Sequence, residues 1–373
     1  MAGLKVVPAD DSRSLSTFLR LPFRLYRGDP NWVPPLLYQQ RTMFDRKRFP
    51  FHFHSEVQPF LCLDGRGRAV GRICAVLNRR HLDFHGDGRG FFGFFECEDD
   101  PAAAALLLDA AAAWLKERGC THIRGPANFS TNEECGLLVE GFDSPPVVMM
   151  TYNPPYYMRL LERWGLAKAM DLLAFRVDAS GGIPERLERA ASLLTRRLGA
   201  SVRSVDFSRL DDEMELLFGI YNSAWEKNWG FVPMTREEFF FSAKDFSAIA
   251  DPELVLVLEM KGEPVGFSLA LPDVNLPLSR MNGRLFPFGF LKFLYYRRKI
   301  RWLRVVAMGL VESARGKGAD SLLYLETFRR GMKKGYEHAE LSWVLETNVP
   351  MIRAAEKVGA VKYKTYRFYE REI

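Results

Sequence analysis

The sequence predicts an α/β protein made of two similar domains, each with a central sheet flanked by helices. The first observation behind this prediction is that segments with the apolar period of strands alternate with segments that have the period of helices. The second is that the same order of segments occurs twice, which is typical of internal repeats. The third is that residues Val177–Pro184, between the two copies, have the composition of a linker.

Length and composition are those of an ordinary globular protein. The chain has 373 residues, of which 47% are hydrophobic and 26% charged, and this length suggests two or three domains. The formal net charge of +6 suits anionic ligands or an anionic membrane surface, although such a surplus is most often a solvated exterior. We expect no nucleic-acid partner from this charge.

The cysteines and the apolar segments bear on the cellular location. The five cysteines include no C-x-x-C pair, so the sequence predicts reduced thiols, with neither a structural metal site nor a complete disulfide framework. The N-terminal stretch lacks the apolar region of a signal peptide. The most apolar segment, Pro101–Leu115, is too short to span a bilayer and contains Asp109. We therefore expect a cytoplasmic protein, with any membrane contact peripheral and on the inner face.

Four patterns recur in the same order in the two halves of the chain. They are Asn31–Pro34 and Asn228–Pro233, Leu61–Leu77 and Leu256–Leu271, His122 and His338 after a long helix, and Asn153 and Asn348 before a short one. The second and fourth patterns are each repeated after 195 residues. The third is repeated after 216 residues, so the second copy has an extra segment near Leu278–Arg301 and the first copy has one near Ala127–Tyr152. We interpret this as a duplication, with domains at residues 1–178 and 184–373.

The second copy shows the predicted elements most clearly. They are a hairpin Leu254–Leu271, a strand Trp302–Glu312, a helix Ala319–Lys334, a strand Ala339–Leu345, a helix from Pro350 and a last strand from Tyr363. Gly335 marks the end of the long helix, because glycine is preferred just after a helix. Pro350 marks the start of the next helix, because its fixed φ suits the first turn.

The turn Arg315-Gly316-Lys317-Gly318 lies between a predicted hydrophobic strand and a long helix. The first backbone N–H groups of a helix are unpaired, and the helix dipole places partial positive charge there. Glycines let the backbone approach an anion closely, so this turn is suited to a phosphate group. A surface turn with solvated cations is the alternative that these residues alone leave open.

The order of elements, the R-G-K-G turn and the N-x(10)-G spacing around the last helix resemble the GNAT (Gcn5-related N-acetyltransferase) superfamily. The resemblance implies two tandem GNAT-like α/β domains, each with a mixed, splayed central sheet flanked by helices. The chain departs from the family loop at Asp320, where Gly or Ala is usual. This carboxylate either weakens pyrophosphate binding or complements the helix N-terminus, and we favour the second reading. The chain also has Ala355 where the family often has a tyrosine that protonates the leaving thiolate.

An acyl-CoA site in the second domain follows from this resemblance. Acyl-CoA would be a co-substrate, with no tightly bound cofactor. The implied cofactor-binding positions are Arg315, Gly316, Lys317, Gly318 and Ala319 for the pyrophosphate, the main chain at Leu310 and Val311 for the pantetheine and thioester, and Asn348 for the pantetheine arm.

The first domain looks like one of the same shape that has lost the cofactor loop. Its equivalent turn carries the carboxylates of Glu96, Glu98, Asp99 and Asp100, which would repel a pyrophosphate. The resemblance therefore implies that one copy binds acyl-CoA and the other shapes a substrate cleft.

Residues 284–304 interleave aromatic rings with lysines and arginines. This composition suits contact with anionic lipid at a membrane surface, an acyl-chain tunnel, or rings packed against the other domain, and nucleic-acid binding is a less favoured alternative. The whole chain also resembles the bacterial ceramide synthase branch of tandem GNAT-like proteins, which implies transfer of an acyl group from acyl-CoA to a lipidic primary amine, a sphingoid base. The alternatives are a short-chain N-acetyltransferase, a non-catalytic acyl-CoA- or lipid-binding protein, and a Fem-like transferase that uses aminoacyl-tRNA.

Attack of an amine on a thioester needs a base that takes the amine proton. Glu312 and Glu346, at the ends of the fourth and fifth strands of the second copy, are the candidate catalytic residues. A surface or capping role fits each of them equally well. His338 is a weaker candidate, because it lies at the start of the fifth strand, towards the other end.

Two polar clusters in the first half are further candidates. His52, His54 and Glu56 would share one face of a strand with a spacing that can bind a metal, although we favour an exposed or interface strand and expect no metal. Residues Asn132–Glu134 either line the substrate cleft or cap their own loop.

Overall fold

The computed structural model describes residues 3–183 and 185–373. The first two residues and Pro184, at the end of the predicted linker, lie outside the described residues. The chain forms two compact units. The first contains the residues up to Leu172 together with Pro277–Leu294 and Lys364–Ile373, and the second contains Leu173–Leu276 and Tyr295–Tyr363. The domain division at residues 178–184 stays a prediction.

The elements follow one another in the predicted alternation of helices and strands. The first half contains β1 (Lys5–Pro8), α1 (Ser12–Leu25), α2 (Leu37–Met43), β2 (Glu56–Leu63), β3 (Ala69–Leu77), α3 (Arg79–His85), β4 (Arg89–Cys97), α4 (Pro101–Lys116), β5 (His122–Gly125), β6 (Ala127–Asn128), β7 (Glu134–Cys135), β8 (Leu137–Glu140), α5 (Tyr157–Arg163) and β9 (Ala167–Asp178). The second half contains α6 (Glu185–Leu198), β10 (Ala200–Ser204), α7 (Leu210–Trp225), α8 (Arg236–Ser247), β11 (Val255–Met260), β12 (Glu263–Pro272), α9 (Asn275–Ser279), α10 (Gly289–Arg297), β13 (Trp302–Leu310), α11 (Asp320–Lys333), β14 (His338–Leu345), α12 (Val349–Lys357) and β15 (Val361–Glu372).

In the first unit, strands β1 to β5 lie side by side in chain order. Neighbouring strands from β1 to β4 are antiparallel, whereas β4 and β5 are parallel. β15 pairs antiparallel with β5, from Tyr369–Gly125 to Glu372–His122. Helix α4 packs on β2 and β3 and buries Leu107, Leu108 and Leu115 completely, which places the core of this unit between the helix and the sheet.

In the second unit, strands β10 to β14 lie side by side in chain order. They are antiparallel up to β13, while β14 runs parallel to β13 from Trp302–His338 to Val305–Leu341. Both strands continue beyond the last pair, β13 to Leu310 and β14 to Leu345, so their ends separate. The predicted α/β class with a mixed, splayed sheet is confirmed.

The glycines of the repeated hairpin, Gly71 and Gly266, occupy equivalent strand positions in the two units. Gly71 on β3 pairs with Cys97 on β4, and Gly266 on β12 pairs with Leu310 on β13. A Cβ atom at Gly71 would lie 2.7 Å from Leu107, and one at Gly266 would lie 2.3 Å from Leu310. Only glycine allows these close approaches, which explains why both copies of the hairpin carry it at this position.

One predicted strand is wrong. His52 lies in a short 3-10 turn, Pro50–Phe53, and β2 begins only at Glu56. Proline favours such a turn because its φ is fixed. His52 Nε2 lies 2.7 Å from Met43 O, and His54 Nδ1 lies 2.7 Å from Ser55 Oγ. The alternation of Phe and His therefore reflects a turn that packs aromatic rings inward, not a strand.

Candidate active site

The predicted phosphate turn connects β13 to α11. A short 3-10 turn, Glu312–Ala314, follows the strand, and α11 then begins at Asp320. Gly316 has φ +71° and Gly318 has φ +78°, a region that side chains other than glycine rarely adopt. The two glycines are therefore required by the path of the turn.

The backbone of this turn has free donors. Within residues 3–183 and 185–373, no well-formed hydrogen bond runs from the backbone N–H groups of Gly316, Lys317, Gly318 and Ala319 to a protein acceptor. These N–H groups precede a helix of 14 residues, whose dipole adds positive potential at its N-terminus. The arrangement is chemically suited to bind a phosphate or pyrophosphate group.

Two cationic side chains hold the turn in place. Arg315 Nε donates to Leu310 O at 3.0 Å, and the same guanidinium also donates to Ala224 O on α7. Lys317 Nζ donates to Ser313 O at 2.7 Å. Arg315 therefore ties the turn to the end of β13, and both cations add positive charge beside the free N–H groups. Asp320 is the first residue of α11, where a carboxylate stabilises the helix dipole.

The end of β13 is held in a fixed position by its neighbours. Val311 N donates to Val265 O at 2.9 Å. A Cβ atom on Gly309 would lie 2.5 Å from the ring of Trp225, so the strand backbone lies directly against α7. The backbone at Leu310 and Val311 is therefore rigid at the place predicted to face a thioester.

Asn348 and Ala355 lie at the two ends of α12. Asn348 Oδ1 accepts a hydrogen bond from Met351 N at 3.2 Å and so caps this helix. Ala355 is fully buried in the core. The structure therefore supports a capping role for Asn348, and its contact with pantetheine stays a prediction.

The candidate carboxylates lie after the ends of two parallel strands. Glu312 follows β13 and Glu346 follows β14, and the ends of parallel strands meet at the same edge of a sheet. Glu312 is exposed and lies 2.6 Å from Lys227 Nζ, and this hydrogen-bonded cation lowers the pKa of the carboxyl. Glu346 is half-buried. His338 is paired with Asp178 at the opposite end of β14.

The sequence analysis missed a buried charged cluster on β13 and β14. Arg304 and Glu340 are 1% and 0% exposed and lie opposite each other in the strand register. Ser342 Oγ donates to Glu340 Oε1 at 2.5 Å, Arg304 Nε donates to Ser342 Oγ at 3.0 Å, and Tyr363 OH donates to Glu340. The signal available in the sequence was the pair of opposite charges, Arg304 and Glu340, each inside a predicted strand.

A half-buried tyrosine on α11 was also missed. Tyr324 OH lies 2.6 Å from Met351 Sδ on α12, one turn before Ala355. Burial raises the pKa of Tyr324 above its ordinary value, so this hydroxyl stays protonated at neutral pH.

The equivalent turn of the first unit has its carboxylates engaged with the protein. Tyr26 and Tyr157 both donate to Glu96, and burial raises the pKa of that carboxyl. Asp100 Oδ1 accepts from Ala102 N at 2.8 Å and so caps α4. The first N–H groups of α4 therefore donate to the side chain of Asp100. Helix α11, in contrast, has no side-chain cap at its N-terminus among the described residues.

Two other candidate regions have distinct environments. Asn132 N donates to Ser130 Oγ at 3.1 Å, and Glu134 begins the short strand β7. In the segment 284–304, Phe286, Phe288 and Leu291 are 75%, 69% and 62% exposed. The rings of Phe286 and Phe288 are therefore not packed against other residues over most of their surface, which contradicts the packed interpretation of this segment for the two phenylalanines.

In the part of the chain that the structure describes, no helix combines the length and apolarity needed to cross a bilayer. Over the same residues, no group of three or more His, Cys, Asp or Glu side chains is placed to hold a metal ion.

Comparison with known proteins identifies relatives over the whole chain. The chain is 41% identical to "Bacterial ceramide synthase" of Caulobacter vibrioides, over 100% of this chain and 98% of that protein. It is 34% identical to "Protein YghO" of Escherichia coli K12, over 97% of this chain and 94% of that protein. No protein-family model matches.

Solved structures share the fold. A tandem GNAT protein from the clavulanic acid biosynthesis pathway superposes with a TM-score of 0.60 at 14% identity, over 99% of this chain and 98% of that one. A GCN5-related N-acetyltransferase from Sphaerobacter thermophilus superposes with a TM-score of 0.50 at 16% identity, over 84% of this chain and 80% of that one.

Proposed function

Since the chain belongs to the same family as the Caulobacter bacterial ceramide synthase, has the fold of tandem GNAT proteins and is an N-acyltransferase, we propose that it transfers a long acyl chain from acyl-CoA to the primary amine of a sphingoid base. The observation that carries this proposal is the identity of 41% over the whole chain. It is supported by the open N–H groups at the start of α11, which suit the pyrophosphate of CoA.

The residues of the second unit have assigned roles in this proposal. The N–H groups of Gly316–Ala319 bind the pyrophosphate, the main chain at Leu310 and Val311 faces the thioester, and Asn348 reaches the pantetheine. The amine nitrogen attacks the thioester carbon, the C–N bond forms and the C–S bond breaks, and CoA leaves as the thiolate. Because a thiolate has a conjugate pKa near 8.5, it leaves without a strong acid at Ala355.

Glu346 is the better of the two proposed bases for the amine proton. The pKa of Glu312 is lowered by Lys227, which weakens this carboxylate as a proton acceptor. A general base contributes about 10²- to 10⁴-fold to a rate. Glu346 is half-buried and follows β14, the strand that runs parallel to β13.

The proposed function predicts that free CoA thiol is released from palmitoyl-CoA only when sphinganine is present. The amide product is identified by its mass. Glu346→Gln is expected to lower kcat by about a hundredfold, because the amine proton loses its acceptor. Glu312→Gln is the matched control, at the end of the neighbouring strand, and is expected to have the smaller effect.

Other outcomes of this assay lead to the alternatives. Equal release from acetyl-CoA with a small amine would replace the lipid substrate by a short-chain one. Binding of CoA without any turnover would contradict catalysis and leave a binding protein. A larger loss for Glu312→Gln than for Glu346→Gln would reverse the assignment of the base.

We also propose that residues 284–304 contact an anionic membrane surface, from which a lipid amine would reach the enzyme. Exposed apolar side chains and exposed cations occur together in the part of this segment that belongs to the first unit, where Phe286, Phe288 and Leu291 are close in sequence to Arg284 and Lys292. Rings of this kind insert at the headgroup level while the cations attract anionic lipid.

The membrane contact predicts cosedimentation with vesicles that contain phosphatidylglycerol and weaker binding to neutral vesicles. Phe286→Ser combined with Phe288→Ser is expected to weaken binding by at least about tenfold, because two exposed rings no longer enter the lipid. Phe53→Ser is the matched control, since Phe53 is 61% exposed in another part of the chain. Equal binding by the double variant and the unchanged protein would contradict the assignment.

A further inference from the structure

An apolar cavity, partly open to solvent at Met332, lies in the second unit between the sheet and helix α11. Its volume is about 60 Å³. Its walls include Leu303 and Val305 from β13, Phe328 and Met332 from α11, and Ala339 and Leu341 from β14. We call this space the helix–sheet cavity.

Three of the polar side chains on the wall of the helix–sheet cavity are bonded to other protein groups. Thr327 Oγ1 lies 3.0 Å from Ser268 Oγ, Tyr324 OH lies 2.6 Å from Met351 Sδ, and His338 is paired with Asp178. The wall therefore has few hydrogen-bonding partners for water, and apolar cavities of this kind take up hydrocarbon in preference to water.

The cavity shares its elements with the candidate active site. Tyr324 on its wall is one helical turn beyond Asp320, where the phosphate turn ends and α11 begins. Met308 on its wall is two residues before Leu310, the strand end assigned to the thioester. The same helix and strand thus border both the proposed cofactor site and the cavity, which extends to His338 at the start of β14.

We propose that the helix–sheet cavity receives part of the hydrocarbon chain of the acyl thioester and so makes the enzyme prefer long chains. The identity of the ligand rests on the proposed function. Unfilled space in a core forfeits packing contacts, and an acyl chain in this cavity restores them when the substrate binds.

The proposal is tested by calorimetric titration of the full chain with CoA and with palmitoyl-CoA below its micelle concentration. The unchanged protein is expected to bind palmitoyl-CoA at least about tenfold more tightly than CoA, because buried methylenes add affinity. Ala339→Phe fills the cavity and is expected to remove this preference while leaving the affinity for CoA unchanged. Phe328→Ala enlarges the cavity and is expected to shift the preference towards longer chains.

Arg329→Ala is the matched control, because Arg329 is exposed on the same helix and should alter neither affinity. A preference for palmitoyl-CoA that persists in Ala339→Phe would overturn the cavity assignment. Equal affinities for CoA and palmitoyl-CoA in the unchanged protein would overturn it as well. Failure of the proposed function is seen separately, as tight binding of palmitoyl-CoA with no amide formed from sphinganine.

Discussion

Replacing Gly318 by aspartate is expected to raise the dissociation constant of CoA by about a thousandfold. The change forces a side chain into a backbone with φ +78°, which costs about 1–3 kcal/mol. It also places a carboxylate beside N–H groups that we assign to the pyrophosphate, where charge-assisted hydrogen bonds contribute about 1.5–3 kcal/mol each. A loss of about 4 kcal/mol corresponds to the expected change. Calorimetric titration with CoA measures it.

Two companion variants separate backbone strain from charge. Gly318→Ala carries the strain alone, since its Cβ would lie 3.4 Å from Leu194, an ordinary contact, and we expect an intermediate loss. Gly335→Asp introduces the same residue at φ +84°, just after the other end of α11, and should leave CoA binding intact. If Gly318→Asp and Gly335→Asp weaken CoA binding equally, the turn is not the pyrophosphate site.

Replacing Glu340 by leucine is expected to lower the free energy of unfolding by about 3–5 kcal/mol, because the change leaves the charge of Arg304 buried without its partner. Both side chains are almost fully inaccessible to water, and Ser342 links them by hydrogen bonds. Urea unfolding of the full chain measures the loss. The double variant Arg304→Met, Glu340→Leu should recover most of it, since removing both charges leaves neither unpaired.

An exposed ion pair just before the same two strands provides the control. Arg301 Nε lies 3.3 Å from Glu337 Oε1, and both side chains are at least half exposed. Because such pairs contribute little in water, Arg301→Ala should lower the free energy of unfolding by less than about 1 kcal/mol. Equal losses for Glu340→Leu and Arg301→Ala would show that the buried pair is not a folding determinant.

Local patterns in the sequence predict the second unit well. The predicted helix Ala319–Lys334 is Asp320–Lys333, and the predicted strand Ala339–Leu345 is His338–Leu345. The glycine turn was predictable because its requirements are local: a strand end, positive φ and a helix start. The strand Trp302–Glu312 ends earlier, at Leu310, because Glu312 begins a 3-10 turn.

Long-range contacts could not be predicted in the same way. The buried network of Arg304, Glu340 and Tyr363 depends on strand register, which periodicity does not specify. The pairing of Tyr369 with Gly125 joins distant parts of the chain. Neither local sequence indicates which strand it will pair with. His52 was placed on a strand because a turn rich in aromatic residues mimics the alternation of a strand.

The position of β15 in the first unit has a consequence for biosynthesis. Gly125 on β5 pairs with Tyr369, so the sheet of this unit lacks one of its strands until residues 364–373 have left the ribosome. Until then the edge of β5 is open to pairing with other chains, which is the usual route to aggregation of unfinished β-sheets. Strands β10 to β14 emerge earlier and pair with near neighbours in sequence, and contacts between near neighbours form fastest. We therefore infer that the second unit folds before the first is complete, although it is translated later.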